Sequence, residues 1–262
     1  MCPDGRTVEV GGEIIGGKKL AMMAGPCAVE SEEQILEAAR GVKAAGAKFL
    51  RGGAYKPRTS PYAFQGLEDE GYRLLRMAAD ETGLKVVSEV VGVDQIDTAA
   101  KYCDMFQIGA RNMQNFRLLR AVGQSKVPVL LKRGIASTIE EWLDAAEYIM
   151  SEGNYNVVLC ERGIRTFETA TRNTLDIAAV AVVKERSSLP IIIDPSHAAG
   201  KRAYVESLAL AGIAAGADGL IVEVHPNPKA AMSDAAQQLT IAEYSEMYRK
   251  VGKIAQAVGR EM

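Results

Sequence analysis

The sequence predicts a single (β/α)8 TIM barrel preceded by a short β-hairpin. Three observations carry that prediction. Eight short apolar runs alternate with amphipathic runs, several of the apolar runs are continuously hydrophobic, and polar residues gather just after their C-terminal ends. Parallel strands covered by helices read as near-continuous apolar runs, and the 262-residue length suits a barrel of about 250 residues folded as one unit. Residues 1–19 are assigned to an N-terminal extension, in which Gly11-Gly12 and Gly16-Gly17 between short apolar stretches read as a hairpin over 6–19. Residues 20–262 are assigned to the barrel as a single domain.

Strands are expected at 20–25, 47–51, 85–89, 104–108, 127–132, 156–160, 190–194 and 218–223. Ser31 followed by Gln34 reads as a capping box opening a helix with Ile35, Leu36, Ala39 and Val42 on its buried face. Thr138 and Glu141 read as a second, with Trp142, Ala145, Ala146 and Ile149 toward the sheet. Gly46, Gly83 and Gly216 stand where helices should exit into strands, a position that favours a left-handed cap. Ile241, Tyr244, Met247, Tyr248, Val251, Ile254 and Ala255 are spaced as the final barrel helix.

Composition narrows the function. An apolar fraction of 48% with only 6% aromatic residues implies an aliphatic core. A net charge of −2 argues against general affinity for nucleic acid or anionic membrane. Cys2, Cys27, Cys103 and Cys160 fit neither a disulfide scaffold nor a paired zinc motif. The chain opens without a hydrophobic signal segment and has no run long enough to span a bilayer, so a cytoplasmic enzyme is expected.

Chemistry in such barrels sits at the C-terminal strand ends, and both histidines of the chain fall there. Strand eight should close beside strand one, which makes the ends of strands seven, eight and one neighbours. They carry His197, Glu223 and Cys27, with Asp234 in the loop after strand eight. Taken singly, Cys27 reads as a small buried thiol, His197 as an ordinary hydrogen-bonded histidine and Asp234 as a helix cap. Together on one rim they form a divalent site whose thiolate, imidazole and carboxylates suit Zn, Mn, Fe or Co better than Ca. Arg51, Lys56, Arg58, Arg111, Lys132 and Arg162 also lie at or just beyond strand ends. Any one of them reads as a solvated loop charge. Six on one rim point to an anionic substrate with more than one phosphate or carboxylate.

The same residues carry a family resemblance. Ala24-Gly25-Pro26-Cys27, Lys56-Pro57-Arg58-Thr59-Ser60-Pro61, Gly109-Ala110-Arg111-Asn112, Leu131-Lys132-Arg133-Gly134, Asp194-Pro195-Ser196-His197, Glu223-Val224-His225-Pro226 and Ser233-Asp234 stand in order from about residue 20 to 240. This set resembles the signature of 3-deoxy-7-phosphoheptulonate (DAHP) synthases, in the type I beta branch shared with 3-deoxy-octulosonate 8-phosphate (KDO8P) synthases. The resemblance implies a metal-dependent condensation of phosphoenolpyruvate with erythrose 4-phosphate and water, the first step of the shikimate pathway to aromatic amino acids. It implies Cys27, His197, Glu223 and Asp234 as metal ligands, and Arg111, Lys132 and Arg162, with Ala110 beside them, at phosphoenolpyruvate. Arg51 and Lys56 would lie at its carboxylate and reacting end, and Arg58 and Thr59 at the aldose phosphate. Lys56 would be the proton donor to the developing alkoxide, and Glu89 would position Lys56 or a reacting water. Arg133, Arg165, Asp194 and His225 fall near the site by pattern. The family also implies homodimers or homotetramers.

Two rivals differ in chemistry. A KDO8P synthase would take arabinose 5-phosphate, but those enzymes typically have a Lys-Ala-Asn-Arg-Ser-type segment where this chain has Lys-Pro-Arg-Thr. A catalytically silent barrel that only senses sugar phosphates has no need to retain Lys56 and all the ligand positions. Regulated relatives of the branch carry an extra domain, and none is expected among these residues. Phenylalanine, tyrosine, tryptophan, chorismate and prephenate should therefore leave the rate of this chain nearly unchanged.

Overall fold

A computed structural model describes residues 5–56, 60 and 62–262. The Gly11-Gly12 turn joins β1 (Val8–Val10) to β2 (Glu13–Ile15) as an antiparallel hairpin, in the register Val8↔Ile15. Alternation puts Val8, Val10 and Ile15 inward, and they are fully buried. They pack with Met23, Phe49, Leu130 and Ile221 from the inside of the barrel. The hairpin therefore plugs the end at which the strands begin.

The eight apolar runs become β3 (Ala21–Gly25), β4 (Phe49–Arg51), β5 (Lys85–Glu89), β6 (Met105–Ile108), β7 (Val129–Lys132), β8 (Val157–Glu161), β9 (Ile191–Ile193) and β10 (Gly219–Glu223). All neighbours pair in parallel, and β10 closes on β3 with Glu223 opposite Gly25. Each strand lies within two residues of its expected bounds. The closure brings the ends of β9, β10 and β3 side by side, as the sequence led us to expect.

The covering helices are α1 (Glu32–Ala44), α2 (Asp69–Thr82), α3 (Ile96–Ala99), α4 (Phe116–Ser125), α5 (Ile139–Ser151), α6 (Ala178–Arg186), α7 (Pro195–Ala199), α8 (Arg202–Ala214) and α9 (Ile241–Ala257). Thr138 and Glu141 close a full capping box on α5, and Trp142, Ala145, Ala146 and Ile149 are buried. Ser31 caps α1 as expected, accepting from the Gln34 amide. The Gln34 side chain does not complete the box. It accepts from Glu30 N–H and donates to the Ala28 carbonyl, which ties down the loop leaving β3. Gly83 ends α2 in the left-handed conformation, and Gly46 and Gly216 also take positive φ. The third helical layer is reduced to the single turn α3, because only 13 residues separate the last residue of β5 from Cys103, which packs in the core before β6.

One strand-end residue proves structural. Arg133 Nη1 lies 2.9 Å from Glu161 Oε2 and 2.8 Å from Asp176 Oδ2. Glu161 is wholly buried, and its other oxygen accepts from Gly163 N–H. Removing one partner of such a pair strands the other charge in a dry interior. Arg133→Met should therefore lose about 3–5 kcal/mol of stability. A denaturant midpoint close to that of the native chain would contradict this.

Candidate active site and metal centre

A cavity of about 710 Å³ opens where the strands end, within the usual size range of small-molecule sites. Among the described residues, seven lysines and arginines line it: Arg51, Lys56, Arg111, Lys132, Arg162, Arg165 and Arg172. Glu89, Asp234, Ala110 and His197 also line it. Five of the six expected cations are thus brought together, from β4, β7 and the loops after β4, β6 and β8. Arg58 and Thr59 lie outside the described residues. Arg165, placed near the site by pattern, does line the cavity.

The donor cluster sits at one side. One ligand atom each from Cys27, Glu223 and Asp234 falls within 4.8 Å of the others. Cys27 Sγ is 3.6 Å from Asp234 Oδ2. His197 stands outside that tight trio but extends it, its Nε2 lying 3.5 Å from Glu223 Oε1 and 3.7 Å from Asp234 Oδ2. Ligands roughly 2.0–2.3 Å from a shared ion sit about 3.3–3.8 Å apart in a tetrahedron, so these separations fit a small divalent cation.

The proton positions fit as well. Asp194 caps α7, accepting from His197 N–H at 2.9 Å, and its Oδ2 lies 2.7 Å from His197 Nδ1. The same oxygen accepts from Lys132 Nζ. Burial holds the His197 imidazole below its ordinary pKa, despite the nearby carboxylates. A neutral ring with its proton on Nδ1 points the bare Nε2 at two carboxylate oxygens. Three lone-pair atoms then face one another, which a cation relieves. Burial alone would raise Glu223, but His197, Arg51 and Lys56 hold it down at about 2. Burial, with the Glu223 charge adding to it, pushes the Cys27 thiol up to about 12. The thiol therefore needs a cation to ionise at neutral pH.

Five further placements refine the sequence reading. Arg51 Nη1 donates to Glu223 Oε1 at 2.9 Å and to the Pro26 carbonyl, so it braces Glu223 as well as lining the cavity. Lys56 Nζ donates to both Cys27 Sγ and the Cys27 carbonyl, each at 3.1 Å. Glu89 instead accepts from Gln107 at 3.4 Å, and Gly109 leaves room for its carboxylate, since a Cβ there would stand 2.0 Å from Oε1. His225 lies on the rim but is directed to Glu30 at 3.3 Å and to the Asn227 amide, away from the cavity lining. Asp234 does not cap a helix; it sits in a turn with φ 46°. Arg172, Gln237 and Gln238, which sequence patterns do not single out, also belong to this neighbourhood.

Comparison with known proteins identifies the family and the fold. The DAHP synthetase I family profile matches residues 7–259. The phospho-2-dehydro-3-deoxyheptonate aldolase of Thermotoga maritima is 52% identical over 98% of this chain and 76% of its own length. The crystal structure of that DAHP synthase superposes with a TM-score of 0.96 at 51% identity, covering 99% of this chain and 76% of that one. A truncated form of the 3-deoxy-D-arabino-heptulosonate 7-phosphate synthase from the same organism gives 0.93 at 49% identity, covering 99% of this chain and 96% of that one. More distant is a 2-dehydro-3-deoxyphosphooctonate aldolase of Syntrophotalea carbinolica, 31% identical over 94% of both chains. The chain belongs to the DAHP synthetase I family of enzymes.

Proposed function

We propose that this chain is a metal-dependent DAHP synthase that joins phosphoenolpyruvate to erythrose 4-phosphate. The observation that carries the reading is one cavity whose wall carries, among the described residues, seven lysines and arginines, with a thiol–imidazole–carboxylate cluster at its side. Cys27, His197, Glu223 and Asp234 would hold a divalent ion, which supplies Lewis-acid polarisation of a carbonyl oxygen. Arg111, Lys132 and Arg162 hold the phosphate of phosphoenolpyruvate, and Arg51 and Lys56 face its carboxylate and reacting end. Fixing two anionic reactants together supplies several kcal/mol, of order 7–11 at best. The methylene carbon of phosphoenolpyruvate bonds to the aldehyde carbon, and Lys56 donates a proton to the resulting oxygen. Water adds at the former enol carbon, and the hemiketal phosphate releases inorganic phosphate. The heptulosonate 7-phosphate and phosphate account for all atoms of the two substrates and water.

The test is aldose-dependent release of phosphate from phosphoenolpyruvate by metal-reconstituted protein, with erythrose 4-phosphate and arabinose 5-phosphate side by side. Turnover with the four-carbon sugar is expected; preference for the five-carbon sugar, or no turnover with either, refutes the proposal. The two anion pockets should also separate by mutation. A hydrogen bond to a charged group is worth about 1.5–3 kcal/mol, roughly a 10- to 150-fold effect. Arg162→Ala should raise the KM for phosphoenolpyruvate by that order, and Arg58→Ala the KM for the aldose. Equal effects of both changes on both substrates would overturn the pocket assignment.

A further inference from the structure

The two carboxylates of the donor cluster each turn one oxygen inward and one outward, and both outward oxygens are held. Glu223 Oε1 faces His197 Nε2 at 3.5 Å, while its Oε2 accepts from Gln237 Nε2 at 2.7 Å. Asp234 Oδ2 faces Cys27 and His197, while its Oδ1 lies 3.4 Å from Arg172 Nη1. Gln237 Nε2 also reaches Asp234 Oδ2 at 3.5 Å, and Gln237 Oε1 accepts from Arg172 Nη1 at 2.9 Å. Gln237 is 2% exposed, with both ends of its amide engaged. Its N–H₂ must point at the carboxylates, because the guanidinium occupying Oε1 has only donors to offer.

The backbone explains how a loop residue comes to lie there. Beyond β10 the chain turns at Asp234 and returns alongside it. Leu239 N–H donates to the Glu223 carbonyl at 2.8 Å, and His225 N–H to the Leu239 carbonyl at 2.9 Å. This short parallel bridge sets Gln237 against the Glu223 side chain. The next residue serves Cys27 in the same way. Gln238, fully buried, accepts from Cys27 N–H at 3.0 Å and donates to the Ser233 carbonyl at 2.8 Å.

We propose that Gln237 is a positioning residue. By holding the outward oxygens, it and Arg172 present Glu223 and Asp234 to the metal through one oxygen each, and they tie the carboxylates to the cavity wall. The proposal rests on the metal-site reading above. Arg51 already holds Glu223 Oε1 from the other side at 2.9 Å, so a carboxylate freed at Oε2 can swing to chelate through both oxygens, which disturbs the geometry that Cys27 and His197 require. Outer hydrogen-bond partners of this kind typically contribute about 10- to 100-fold in metal affinity.

The experiment is a titration of the metal-free full chain with cobalt(II), followed by thiolate-to-cobalt absorption and by bound cobalt after gel filtration. Native protein should take up one equivalent. Gln237→Met keeps the volume and removes both amide ends, and its cobalt Kd should rise by about 10- to 100-fold. Arg172→Met should shift affinity in the same direction. A purely structural role would lower the thermal midpoint of the metal-free protein and leave the Kd of the folded variant as in the native chain; that result overturns the proposal. Should Gln237→Met fail to fold, Arg172→Met decides, because its side chain is 41% exposed and its loss leaves the core intact. Native affinity in that variant overturns the proposal, and weakened affinity supports it. A native chain that binds no cobalt at all would instead refute the metal-site reading, a distinct outcome.

Discussion

Stripped of divalent ions, the protein is expected to lose turnover and to regain it when a transition metal is restored. The electrostatics of the donor cluster are the reason. Glu223 is held ionised, His197 is held neutral with Nε2 bare, and Cys27 is wholly buried with its thiol pushed up to about 12. A bound ion replaces the thiol proton and relieves the repulsion among the facing acceptors. Cys27→Ala should therefore lower metal occupancy strongly. Cys103→Ala is the control, since Cys103 sits in the aliphatic core with Leu84, Val86 and Ala99 and outside the cavity lining. Metal content after dialysis and the rate after reconstitution measure both effects. A thiolate ligand is also oxidisable, so inactivation by peroxide should track modification of Cys27. Full activity in rigorously metal-free protein would defeat the metal hypothesis.

The strands were legible because a barrel imposes one demand on every strand, burial on both faces, and continuous apolar runs such as Val157–Leu159 and Ile191–Ile193 meet it. The candidate donors at strand ends stood out for the same reason: Glu223 and Asp194 end apolar runs with groups that burial penalises unless they are paired, and His197 follows three residues after Asp194. The supporting residues were not. Gln237 and Gln238 carry no titratable group, and their side chains matter only because the chain after Asp234 doubles back along β10, a path set by an irregular turn with no sequence period. Arg172 lies ten residues beyond Arg162 in the loop after β8, too far along to count as a strand end. It is brought back by pairing of that loop, where Ile164 and Thr174 bridge and the Thr166 and Thr174 hydroxyls meet at 2.6 Å. Arg133, placed near the site by pattern with no role assigned, shows the converse case. It stands at a strand end with the right charge, yet the burial of Glu161 claims it for the fold. Conversely Asp194, at first only near the site by pattern, gains a defined part from its contacts. It fixes the His197 tautomer and neutralises Lys132.

Replacing Lys56 should cost catalysis far more than binding. Loss of a positioned general acid lowers rates by about 10²- to 10⁴-fold, and Lys56→Met should reduce kcat by that order while metal content stays at the native level. The local field favours this role. Removal from bulk water pushes the ammonium down, but Cys27, Glu89 and Glu223 outweigh it and hold the group above its ordinary pKa. The sign follows directly: a raised lysine pKa keeps the proton in place through neutral pH and releases it only above the usual lysine range. In the metal-free protein the group is thus protonated at neutral pH. Its Nζ already reaches Cys27 Sγ, so it stands beside the metal donors where the aldehyde oxygen would be drawn. Lys56→Arg separates charge from proton transfer. The guanidinium restores the positive charge but does not give up its proton in a protein. If Lys56 donates a proton, Lys56→Arg remains nearly as slow as Lys56→Met, with both substrates still binding. Recovery of most of the native kcat in Lys56→Arg would show that Lys56 serves only as a charge, and the proton would then have to come from another group on the cavity wall.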